Sequence, residues 1–168
     1  MIKLLGAVII IMTGVTLGFM PLLDMKERVR MITMYREGLN RMKSELSTYG
    51  TSIPLLMNHL RAIENSCKLF AYVSDAIEQN GPMCFSSAWH TYITEHGKFL
   101  NNTECETMCT LGEVLGRYSL EEQIASIDRS IELLASGAQV TRVKLQELSR
   151  IYIGTSLCLS TMLVVLLL

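Results

Sequence analysis

Two stretches without a single Asp, Glu, Lys, Arg or His bracket this chain, one from Leu4 to Leu23 and one from Ile151 to Leu168. Nearly all the charge lies between them. At ~1.5 Å of rise per residue, a helix over either run crosses or almost crosses a hydrocarbon core ~30 Å thick. A hydrophobic content of 49% and a mean hydropathy of +0.31 over 168 residues also exceed what an ordinary soluble domain carries. Three segments are therefore expected: a transmembrane helix over residues 1–23, a helical bundle over 24–150 and a second transmembrane helix over 151–168, with Tyr152 as an interfacial anchor. A cleaved signal peptide is the alternative for the first run, with Lys3 as its basic start. The length of the run and the lack of an A-x-A-like cleavage site speak for a retained span.

Basic residues set the expected orientation. Lys26, Arg28, Arg30, Arg36, Arg41 and Lys43 follow the first run, and Arg142, Lys144 and Arg150 precede the second, against Lys3 alone outside. The positive-inside bias puts the central domain in the cytoplasm and both chain ends across the cell membrane. Gly14 and Gly18 in the first run, and Ser156 and Ser160 in the second, are small residues at helical spacing that let membrane helices approach closely. Arg28 and Arg30 belong to a basic cluster beside the membrane. With a net charge of −1 for the whole chain, that cluster favours lipid headgroups or topology setting over nucleic acid.

The central segment reads as helix almost throughout, and no stretch alternates with period two for long enough to make a sheet. Ile32, Tyr35, Leu39, Met42, Leu46 and Tyr49 form an apolar stripe on a helix continuing from the first run, with a kink expected at Pro21. Gly50 and Pro54 end this helix and begin a second, whose buried face is Leu56, Leu60, Ile63 and Cys67. A third helix, about Lys68 to Gln79, stops at Asn80-Gly81-Pro82. A fourth opens at Ser86 or Ser87, carries Trp89, Tyr92 and Ile93, and ends near Gly97. Thr103 with Glu106 reads as a capping box for a fifth, about Thr103 to Leu115. Gly116 then takes the left-handed conformation, and Ser119 with Glu122 caps a sixth helix bearing Ile124, Ile127, Ile131, Leu134, Ala138, Thr141, Leu145, Leu148 and Tyr152. The expected fold class is all-α, an up-and-down bundle of about six helices whose first and last members enter the bilayer.

Motifs of chemistry are missing. The chain has neither G-x-x-x-x-G-K-[ST] nor H-E-x-x-H, and His90 and His96 fall on different faces of a helix. Cys105 and Cys109 lie one helical turn apart, yet reduced cytoplasmic cysteines are commonly small buried hydrophobes, and no second close pair accompanies them. We therefore expect no catalytic, cofactor or metal site. The eleven methionines read chiefly as core filling. Glu104, Glu106, Glu113, Glu121 and Glu122 make an acidic zone, explained in part by capping and in part as a docking surface for a basic partner.

Four features carry a resemblance over the whole chain. The opening "MIKLLGAVIIIMTGVTLGF" is similar to the membrane start of the stage III sporulation protein AB family. "ELSTYGTSIPL", with Tyr49, Gly50 and Pro54, resembles that family's E-x-x-Y-G-x-T-P-L-P, although the first proline is lost. Ala88-Trp89 matches a recurrent A-W pair. "LGEVLGRYSLEEQ", which contains Gly112, resembles L-G-x-x-D-x-x-x-Q, with Leu115, Gly116 and Gln123 in place and Ser119 where an aspartate is usual. Serine and aspartate are both good N-caps. The resemblance implies a non-enzymatic protein of the mother-cell membrane around the forespore, its cytoplasmic part like the repeated domain of type II secretion and type IV pilus platforms. It would dock a secretion-type ATPase and other subunits of a channel between the two cells. Platforms of that class usually carry two copies of the domain and this chain has one, so a homo-oligomer is expected. Glu121, Glu122 and Gln123 are the chosen interaction residues. A membrane-tethered adaptor unrelated to secretion, and a metal-dependent protein using Cys105 and Cys109, are the other readings.

Overall fold

The computed structural model describes the backbone of residues 2–63 and 67–167, and the side chains of 22–63, 67–149, 151, 152 and 155. The described residues form six α-helices and a short 3-10 turn: α1 (Ile2–Tyr49), α2 (Ile53–Arg61), α3 (Lys68–Asn80), the 3-10 turn Pro82–Cys84, α4 (Phe85–His96), α5 (Asn102–Val114) and α6 (Leu120–Leu167). No strand occurs among them, as the absence of period-two alternation implies.

The chain divides into two compact units, one of 1–29 with 139–168 and the other of 30–138. In the first, the Arg28 Nε donates to Thr141 Oγ1 at 3.0 Å, joining α1 to α6. Among the described residues no helix is long and apolar enough to cross a membrane. The expected spans fall almost wholly outside the described side chains, and so do Gly14, Gly18, Ser156 and Ser160. The α1 backbone is helical through Pro21.

The second unit is the bundle, in which α2 packs on α3, α3 on α4 and α4 on α5. Its core takes Ile32, Tyr35, Leu39, Met42 and Leu46 from α1, with Leu56, Leu69, Phe70, Trp89, Ile93, Met108, Ile127 and Leu134. Each large apolar side chain removed from water contributes roughly 1.5–3 kcal/mol. Lys43 Nζ meets both carboxylate oxygens of Asp128 at 2.6 and 2.7 Å, adding a polar tie between α1 and α6. Arg61 reaches Asp75 at 2.6 Å to tie α2 to α3.

Several boundaries depart from the sequence-based expectation. Tyr49, read as the last member of the α1 stripe, is 79% exposed, because it is the final residue of the helix and the stripe ends with it. Helix α2 stops at Arg61, so Ile63 is only partly buried, and Cys67 is buried as the residue before α3 instead of on the α2 face. Helix α4 is entered through Pro82–Cys84 and starts at Phe85, while the Ser87 hydroxyl bonds back to the Cys84 carbonyl.

The α5 cap is also displaced. Asn101 Oδ1 accepts the Glu104 N–H at 2.7 Å and Glu104 Oε2 accepts the Asn101 N–H at 2.8 Å, so the capping box lies two residues before the expected Thr103–Glu106 frame. Glu104 is 1% exposed and belongs to the core, not to the acidic surface expected for it. Besides Glu104, the core buries Ser74, Ser126 and Ser130 and the Tyr35 hydroxyl. Ser74 Oγ donates to Asn58 Oδ1 at 2.6 Å. The Tyr35 hydroxyl is buried without a hydrogen-bond partner, and that burial raises its pKa.

A candidate docking groove at the helix ends

Every helix of the bundle has an end at one place. There α1, α3 and α5 stop, and α2, α4 and α6 start. Three connections bring this about. Gly50, with φ +59, reverses the chain after α1, and Pro54 in the first turn of α2 needs no N–H partner there. Gly81, with φ +82, makes the turn from α3 toward α4. Gly116, with φ +77, turns the chain from α5 toward α6.

The last connection is held from both sides. Ser119 and Glu122 form the reciprocal box expected of them: the Ser119 N–H donates to Glu122 Oε2 at 3.2 Å, and the Glu122 N–H to Ser119 Oγ at 3.3 Å. Gln123 spans the loop with its amide, accepting from the Gly116 N–H at 3.1 Å and donating to the Tyr118 carbonyl at 2.8 Å. A glutamine four residues beyond the cap thus has a local structural task.

Between these turns lies an open groove of about 800 Å³. Gly50, Pro54, Gly116 and Gln123 all line it, with Leu46, Ile77 and Leu115 toward the core. Ile53, Met83, Phe85 and Leu120 add apolar wall, and of these Met83 is 95% and Leu120 42% exposed. None of the four was singled out from the sequence as part of a site. Trp89 and Gly112 are not groove residues. They pack α4 against α5 inside the bundle, where the indole N–H donates to the Met108 carbonyl at 2.7 Å and a Cβ on Gly112 would stand 2.3 Å from Trp89 Cδ1. Tyr49 and Ser119 adjoin the groove in sequence. Arg28 is half-buried in the first unit, and Arg30 is exposed at the start of the second.

A family model for stage III sporulation protein AB matches residues 3–168. The chain belongs to the stage III sporulation protein AB family. Of the sequence elements that suggested the resemblance, Y-G-x-x-x-P and L-G-x-x-S-x-x-x-Q contribute Gly50, Pro54, Leu115, Gly116 and Gln123 to the groove lining of this stage III sporulation family member, the tryptophan and Gly112 pack inside the bundle, and the opening stretch lies outside the described side chains. No curated protein and no solved structure gives a significant match to the chain.

Among the described residues no three His, Cys, Asp or Glu side chains come together as a cation site. Burial and the neighbouring Cys105 push the Cys109 thiol up to about 11, which keeps it protonated and a poor nucleophile at neutral pH.

Proposed function

We propose that this protein is a non-enzymatic membrane platform in stage III of sporulation, and that its bundle docks a secretion-type ATPase. The observation that carries the reading is the groove: an open, largely apolar surface on a packed helical body, to which the elements that suggested the resemblance contribute Gly50, Pro54, Leu115, Gly116 and Gln123. The charge-free runs at both ends support membrane anchoring in the mother-cell membrane around the forespore, and the basic residues next to them support a cytoplasmic bundle. In this reading the protein couples the ATPase to other channel subunits and assembles as a homo-oligomer.

The test is retention of the purified ATPase by the full chain, solubilised in mild detergent and immobilised. The expected result is saturable binding that a detergent-solubilised unrelated helical membrane protein does not show. Absence of retention by a chain whose helical circular dichroism is intact would sink the docking reading.

A further inference from the structure

We draw no further inference here: the strongest candidate, the open groove at the helix ends lined by Ile53, Met83, Phe85 and Leu120, belongs to the docking surface already described, and nothing in the structure shows what covers it.

Discussion

Gln123 closes the corner on which Gly116 turns, its amide accepting the Gly116 N–H at 3.1 Å while donating to the Tyr118 carbonyl at 2.8 Å. One side chain therefore satisfies a donor and an acceptor of a loop that helix hydrogen bonding leaves open. Gln123→Ala removes both bonds and should cost about 1–2 kcal/mol, reduced because the site is exposed to water. Gln123→Glu keeps the acceptor but loses the donor and should fall between. Urea denaturation of the full chain in detergent, followed by circular dichroism, checks the order; an alanine variant as stable as the parent would remove the latch.

The missing Cβ of Gly112 lets α5 lie close against the Trp89 ring of α4. A methyl group at position 112 would meet the indole at 2.3 Å, and the indole is held by its bond to the Met108 carbonyl. Gly112→Ala should therefore destabilise by roughly 1–3 kcal/mol, despite the better helix propensity of alanine. Combining it with Trp89→Phe should cost less than the sum of the two single changes, since the smaller ring vacates the contested space. Additive losses in the same denaturation assay would show that the two positions are not coupled.

The capping frame of α5 gives a test in which two neighbouring glutamates diverge. Glu104→Ala leaves the Asn101 N–H without its carboxylate and opens space in the core, so a loss of about 1–3 kcal/mol is expected. Glu106→Ala touches an exposed side chain and should stay within about 0.5 kcal/mol of the parent. Equal losses from the two variants would contradict the observed frame.

This divergence shows where the sequence stops being legible. Asn101…Glu104 and Thr103…Glu106 are overlapping matches to one capping pattern, and only the burial of Glu104 decides between them. The α1 stripe from Ile32 to Leu46 was readable because a single helix face repeats it every three or four residues, while Tyr49 kept the period after the helix had run out of neighbours. The Gly116 turn and the Ser119–Glu122 box were readable for a different reason, since both are local to a few residues. The groove was not. Ile53, Met83, Phe85 and Leu120 come from three separate connections, and no spacing rule relates them. The same holds for Gly38, whose missing Cβ would stand 2.3 Å from the ring of Phe70.

Alkaline pH should destabilise the bundle through the buried Cys67 thiol and the partly buried Cys109 thiol. Burial pushes Cys67 up to about 11 from the ordinary 9.0, and Cys109 is likewise pushed up to about 11. A thiol whose pKa is higher in the folded than in the unfolded chain holds its proton longer when folded. Its contribution to stability is complete below about pH 9, declines as pH rises between 9 and 11, and is gone above the folded pKa. Denaturation midpoints should thus be level from pH 7 to 8.5 and fall between pH 9 and 11. Cys67→Ala, at a site only 3% exposed, should lower stability near neutral pH through lost packing yet flatten the alkaline slope. Burial also raises the Tyr92 hydroxyl to about 12, so part of the slope should survive in that variant at the upper end of the range. A slope unchanged by Cys67→Ala would mean that the alkaline loss comes from other groups.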